Sequence, residues 1–308
     1  MGNKQIQVSA ALAQQLGKEG VVAITRYDLA RIAWRIYKQD QFNGVTLRKQ
    51  RNELDRATFN RAERQLVQNG VLRLIPGLPE GSAYVLVGAN ASNPQVLACA
   101  IDPFCYISHL SAMEFHGLTD RLPEFLYIAS PSPTEWRNFA RARMKRDLGD
   151  DFDRYVEVGI APLQRTSFTR LAGRAVHQFK SVHLGAFTHI KDQQIRVATL
   201  GRTFLDMLRE PALCGGTAHV LSVFREHAPI TSRLIIDEVE QHGNGIDKVR
   251  AGYVLEEICK ISDPKIDAWV AFAQRGGSRK LDASAEYSST FSERWCLSLN
   301  TPIPLEWS

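Results

Sequence analysis

The sequence predicts an α+β protein in two parts: a small helical domain ending in a β-hairpin over residues 1–92, and a mixed α/β domain over 93–304. Three observations predict it. Helical patterns appear four times before residue 70. Two short apolar runs, 71–75 and 83–87, flank the turn-forming Pro76-Gly77-Leu78-Pro79-Glu80-Gly81-Ser82. Beyond the small, turn-rich stretch 88–94, where the boundary is placed, helical and alternating segments are mixed.

In chain order, residues 8–16 read as a short helix ending at Gly17. Thr25 is placed to cap a second, with Leu29, Ile32, Ala33 and Ile36 on one face. After a polar break at 39–44, Thr46 caps a third, with Leu47 and Leu54 inward and Arg48, Lys49 and Arg51 outward. Asp55 starts a fourth by accepting hydrogen bonds from the open amides of its first turn. Phe59, Ala62 and Leu66 form its apolar stripe, and Gly70 can adopt the left-handed conformation that ends it.

The other face of that helix carries Arg56, Thr58, Asn60, Arg61, Arg64, Gln65 and Gln68. A polar, arginine-rich helix followed at once by a hairpin reads as the recognition helix and wing of a winged helix-turn-helix. Such a helix fits the major groove, where Arg pairs with guanine and Asn with adenine through two hydrogen bonds. The expected base contacts are therefore Arg56, Thr58, Asn60, Arg61, Arg64 and Gln65. Arg48, Lys49 and Arg51, on the helix that would cross the backbone, and Arg73 on the wing are the expected phosphate contacts. A solvated basic helix over a small core has the same pattern, so the charge distribution decides. Residues 1–92 hold 13 Lys and Arg against 7 Asp and Glu, a net +6, whereas the remainder nets −1. The excess sits where phosphates would have to be neutralised.

In the second part, Pro94 opens a buried helix through Ile101. Ser108 caps a helix that Gly117 ends, and 125–129 is a short strand. A basic helix spans 134–148, with Trp136, Phe139 and Ala140 inward and Arg137, Arg141, Arg143, Lys145 and Arg146 along it. Strands are expected at 155–158, 176–184 and 195–199, and Arg202 can pair with Asp206 one helical turn on. Residues 217–259 read as three helical pieces, broken at Ala228-Pro229 and at Gly243-Asn244-Gly245. The tail has little regularity, and 305–308 reads as a cloning scar with the start of an affinity tag.

Several stretches resemble a known family. Tyr106-Ile107-Ser108, Ser111-Ala112-Met113 and His116-Gly117-Leu118-Thr119-Asp120 are followed by a strand. Arg202-Thr203-Phe204-Leu205-Asp206 then precedes Pro211 and Gly215-Gly216. This order, behind an N-terminal winged helix, resembles the antitoxins of AbiE-type abortive-infection systems, the AbiEi family. The likeness covers roughly residues 20 to 260. It implies a cytoplasmic bacterial antitoxin that represses its own operon at inverted repeats in double-stranded operator DNA. It also implies neutralisation of a nucleotidyltransferase-like toxin by the C-terminal domain, with no stable complex required. The alternative is a transcription factor that responds to a ligand or phage component and has no toxin partner.

Enzymatic chemistry finds no footing in the pattern. The chain has no E-x-K strand, no G-x-x-x-x-G-K-[ST] loop, no H-E-x-x-H and no G-x-S-x-G. Gly277-Ser278 with Asp282 and Glu286 imitates a nucleotidyltransferase motif poorly. His109 and His116 share a helix face, but two ligands do not close a metal site. Neither cofactor nor metal is expected. Five scattered cysteines with no C-x-x-C pair read as reduced thiols of a cytoplasmic protein. No membrane segment is expected, since no apolar run approaches bilayer length.

Overall fold

The computed structural model describes residues 5–49, 51–181, 184–274 and 279–301; the stretch read as a tag and the Gly277-Ser278 pair lie outside them. The chain is α+β with multistranded sheet. No helix among the described residues is long and apolar enough to cross a membrane.

The N-terminal elements are β1 (Gln5–Ile6), α1 (Val8–Glu19), β2 (Ala23–Thr25), α2 (Arg26–Gln39), β3 (Gln41–Phe42), β4 (Val45–Leu47), α3 (Arg56–Gln68), β5 (Leu72–Leu74), β6 (Ala83–Leu86) and α4 (Pro94–Ile101). α1 runs through Gly17 and ends instead at Gly20, whose φ of 64° is the left-handed cap. Thr25 caps α2 as expected, accepting from the Asp28 amide. β5 and β6 pair antiparallel, Arg73 opposite Val85, and β2 adds to the outer edge of β6 with Ile24 opposite Tyr84.

The helix expected from Thr46 does not form. Val45–Leu47 is a strand, parallel to β1 and antiparallel to β3, and Arg48–Asp55 runs on without helix among its described residues. Val45 and Thr46 are β-branched, and two strand partners give their backbone the hydrogen bonds a helix would have supplied. Leu47 and Leu54 are buried as expected, each at 2% exposure, by a route other than helical spacing.

Next come β7 (Tyr106–Ile107), α5 (His109–Phe115), β8 (Leu126–Pro131), α6 (Pro133–Leu148), α7 (Phe152–Val158), β9 (Arg170–Leu171) and β10 (Arg174–Ser181). They are followed by β11 (Phe187–Ile190), β12 (Ile195–Ala198), α8 (Leu200–Arg209), α9 (Thr217–His242), α10 (Gly245–Tyr253), α11 (Pro264–Trp269), β13 (Phe291–Ser292) and β14 (Leu297–Ser298). The strand expected at 155–158 is the helix α7. Tyr155 is buried while Val156 is half exposed and Val158 half buried, and Gly159 caps the turn at φ 66°. Phe139 faces outward at 41% exposure, contrary to expectation, but lies against the Phe104 ring.

α9 is continuous through Pro229, where a break was expected. A proline inside a helix costs about 3 kcal/mol or more. Phe224 and Ala228 before it and Ile235, Ile236 and Val239 after it are all buried in one core, so packing on both sides outweighs the lost hydrogen bond. The second expected break holds: Asn244 and Asp247 form a capping box that starts α10.

The compact units are not the two consecutive segments expected. Unit 1 joins residues 1–105 to 130–182 and 191–195; unit 2 holds 106–129, 183–190 and 196–308. The physical reason lies in one core: Tyr27, Trp34 and Phe59 share buried surroundings with Trp136, Met144, Tyr155 and Leu163. Unit 1 thus contains the basic helix α6. In unit 2, β7 lies between β12, parallel, and β8, antiparallel. The tail belongs to this unit, with Trp295 and Leu297 wholly buried in its core.

Unit 2 also holds a buried ion pair, Arg202 Nε to Asp206 Oδ1 at 2.8 Å, formed across one turn of α8 as expected. Burial outweighs the attraction of Arg202 and Arg209 and pushes the Asp206 carboxyl up to about 6 from its usual 3.8. The folded state therefore holds this proton more tightly than the unfolded chain. Stability from this group is expected to fall as pH rises from about 4 to about 6 and to stay lower above that. Urea unfolding at half-unit pH steps checks it, as the difference between the parent and Asp206→Asn. A difference that does not change across this window would refute the assignment.

Candidate nucleic-acid interface

α3 is built from both ends. Asp55 Oδ1 accepts from the Thr58 amide at 2.8 Å and caps its N-terminus. Hydrogen bonds from the Thr58 side chain and amide hold the Asp55 carboxyl below the usual carboxylate range. At the other end, Asn69 is the cap and Gly70 follows at φ 71°. Phe59, Ala62 and Leu66 are buried, as the stripe predicts.

Glu63 is buried too, at 7% exposure, which the sequence reading did not assign. Its Oε1 accepts from Arg26 Nε and from the Tyr84 hydroxyl, both at 2.8 Å, and its Oε2 from Arg26 Nη2 at 2.9 Å. Arg26 Nη2 also donates to Asn60 Oδ1 at 2.7 Å, and the guanidinium lies 5.5 Å from the Phe59 ring centroid. Burial and the Glu63 carboxylate push the Tyr84 phenol upward, so it stays a proton donor. One arginine at the start of α2 and one tyrosine on β6 therefore fasten α3 to its neighbours. A carboxylate three residues before Leu66 and four after Phe59 was the available signal, because an acid on an apolar stripe needs a partner.

Among the expected base contacts, Arg56, Arg61 and Arg64 are exposed on α3, with Gln65 half buried beside them. Arg64 Nε leans back to the Asn60 carbonyl at 3.2 Å. Thr58 and Asn60 are drawn elsewhere: Thr58 to the cap, and the Asn60 acceptor oxygen to Arg26. Thr58, Arg61 and Gln65 line a hollow of about 220 Å³ that also takes in Arg48 and the first turn of α1. On its other side α3 meets the hairpin across a larger hollow of about 680 Å³, lined by Arg26, Arg64, Gln68, Leu74 and Glu80.

Three of the four expected phosphate contacts, Arg48, Lys49 and Arg51, lie outside any helix, contrary to the helix assigned to them. Arg48 is exposed in the extended segment, its amide donating to Ile6 at 2.8 Å. Lys49 pairs with Asp40 at 2.7 Å and lies 4.9 Å from the Tyr37 ring, while Arg51 pairs with Asp55 at 2.7 Å. Arg73 is exposed on β5. The tip of the hairpin turns on Gly77 and Gly81, both at positive φ, where a side chain would be strained.

The motifs that resemble AbiEi lie in unit 2 and make internal bonds. Ser111 Oγ accepts from the Tyr127 amide at 3.0 Å, His116 Nε2 bonds the Ala198 carbonyl at 2.7 Å, and Thr119 Oγ1 bonds His219 at 3.0 Å. Among the described residues no three His, Cys, Asp or Glu side chains are grouped to hold a metal ion.

No protein-family profile matches the chain, and no curated protein does. Among solved structures it is similar to the Rv2827c protein from Mycobacterium tuberculosis, at 13% identity and a TM-score of 0.47. That likeness covers 96% of this chain and 93% of the other, and is too slight to carry an argument.

Proposed function

We propose that α1, β2, α2, α3 and the β5–β6 hairpin form a winged helix that binds operator DNA, with α3 in the major groove. The observation that carries this is the solvent face of α3, where Arg56, Arg61 and Arg64 project from a helix clamped from behind by Arg26, Glu63 and Tyr84. The sheet order β2–β6–β5, in which the strand before α2 joins the hairpin, supports the same reading. Arg56, Arg61, Arg64 and Gln65 take the base edges. Arg48 and Arg73 take phosphates, with the open first-turn amides of α1 beside Arg48. Asn60 serves the clamp.

By its resemblance to AbiEi, the chain is further proposed to repress its own operon in the bacterial cytoplasm, at inverted repeats, and to neutralise a nucleotidyltransferase-like toxin without itself being an enzyme. A gel-shift titration of the purified chain against its own upstream DNA and a scrambled duplex, at two salt concentrations, tests the first half. Preferential, salt-sensitive retardation is expected, and equal binding to both duplexes would end the operator reading. Growth rescue on co-expression with a neighbouring nucleotidyltransferase-like gene tests the second. Absence of rescue by a soluble, DNA-binding chain would end the antitoxin reading.

Arg61→Ala is expected to weaken operator binding by about 1–3 kcal/mol and to relax selectivity at one base pair. Competition titrations with single-base operator variants check this. Parent-like affinity and selectivity would remove Arg61 from the base edges.

A further inference from the structure

Helix α6 carries cations that its neighbouring acids do not neutralise. On its inner face Arg143 donates to Asp28 at 2.6 Å and to Asp147 at 3.3 Å. Asp147 also accepts from the Tyr27 hydroxyl at 3.3 Å, and Asp151 accepts from Lys38 at 2.6 Å and Trp34 at 3.3 Å. Asp147 lies near the end of α6 and Asp151 just beyond it; in the fold Asp147 serves Arg143, Arg146 and Tyr27, and Asp151 serves Lys38 and Trp34 of α2.

The outer face keeps Arg137, Arg141 and Lys145, spaced four residues apart and therefore in one row. All three are exposed, and none makes an ion pair among the described residues. Arg137 reaches Thr134 Oγ1 at 3.4 Å, and Lys145 lies 5.6 Å from the Phe152 ring. Arg146, next in sequence, is 75% exposed and lies 3.7 Å from Asp147. The row spans about 12 Å at 1.5 Å per residue. That is long enough to meet several phosphates of one strand, which carries a charge per about 3.4 Å of axis.

The row is held rigidly, in the same unit as α3. Trp136 and Ala140 are buried, and Trp136 Nε1 donates to Asp102 at 2.9 Å. Arg165, in the segment after α7, donates to Ser130 Oγ at 3.2 Å, at the foot of α6. The same Arg165 lines, with Arg56 of α3 and the hairpin turn at 79–82, a concave face of about 690 Å³. Arg56, Arg165 and the row of α6 thus all belong to unit 1.

We propose that Arg137, Arg141 and Lys145 form a second phosphate-binding row that grips duplex DNA flanking the bases met by α3. The inference rests on the DNA-binding reading above. A row of this kind adds affinity and salt sensitivity but no choice of sequence. The test uses the full chain and the triple variant Arg137→Gln, Arg141→Gln, Lys145→Gln, titrated against a long operator duplex, one trimmed to the core, and a scrambled duplex, over a salt series. Circular dichroism verifies folding, which three exposed substitutions leave intact.

The variant is expected to bind the long duplex about tenfold to a hundredfold more weakly, with a log–log salt slope shallower by about 2–3, because each phosphate contact contributes about 0.9 to that slope. Its ratio of operator to scrambled affinity should stay that of the parent, and trimming should weaken the parent more than the variant. Unchanged affinity and slope in the variant, with a parent that does bind, would overturn the row alone. A parent that binds no duplex at low salt would overturn the winged-helix reading and the row with it. Loss of binding to single-stranded RNA only would also overturn it, by giving the row another partner.

Discussion

Arg202→Ala is expected to destabilise the protein by about 3–5 kcal/mol, the cost of leaving a buried charge without its partner. The Arg202 side chain is 3% exposed and that of Asp206 6%, so no solvent replaces the lost guanidinium. Two further groups press on the pair. A Cβ on Gly185 would collide with the Arg202 side chain, and the Gly185 amide donates to the Tyr106 hydroxyl at 3.1 Å. The variant must then bury Asp206 in its protonated form, with a pKa above the parent's, so its deficit should shrink as pH falls toward about 6 and level off below that. Urea unfolding at pH 5 and pH 7, followed by circular dichroism, checks both statements. A loss under about 1 kcal/mol at both pH values would show the pair to be energetically idle. DNA binding is a separate readout, because every residue of the proposed interface belongs to unit 1.

Phe59→Ala is expected to cost about 3–5 kcal/mol and to abolish duplex binding with it. Phe59 is wholly buried and is the one aromatic side chain on α3; its ring also lies under Arg26. Removing it leaves a cavity behind the helix and loosens the guanidinium that holds Glu63 and Asn60. Phe59→Leu keeps most of the volume and should cost less, with binding largely retained. Thermal unfolding beside a gel shift separates this from Arg61→Ala, which should lose affinity with little loss of stability. A Phe59→Ala protein that is folded and binds operator like the parent would mean that α3 does not carry recognition.

Much of unit 1 was legible because local chemistry decided it. Thr25 and Asp55 cap the helices that they were expected to cap, since one side-chain oxygen near open amides needs no distant partner. Phe59, Ala62 and Leu66 are buried because their spacing matches the helical turn. The hairpin followed from two apolar runs around a glycine-containing turn. Of the expected contact residues, the exposed arginines of α3 were legible, but the commitment of Asn60 was not. It depends on Arg26, distant in sequence, and on a carboxylate whose burial the helix alone does not reveal.

The sequence by itself determined where helices start, which faces are apolar, and that positive charge gathers in the first 92 residues. Tertiary structure decided the rest. Whether residues 45–47 would be helix or strand turned on β1 and β3 offering backbone partners. Whether Pro229 would break α9 turned on the core that holds both of its halves. Whether the acid after α6 would neutralise it turned on α2, whose Trp34 and Lys38 engage Asp151. In each case a competition between two local outcomes was resolved by groups far away in the chain, because packing and desolvation act on what is near in space.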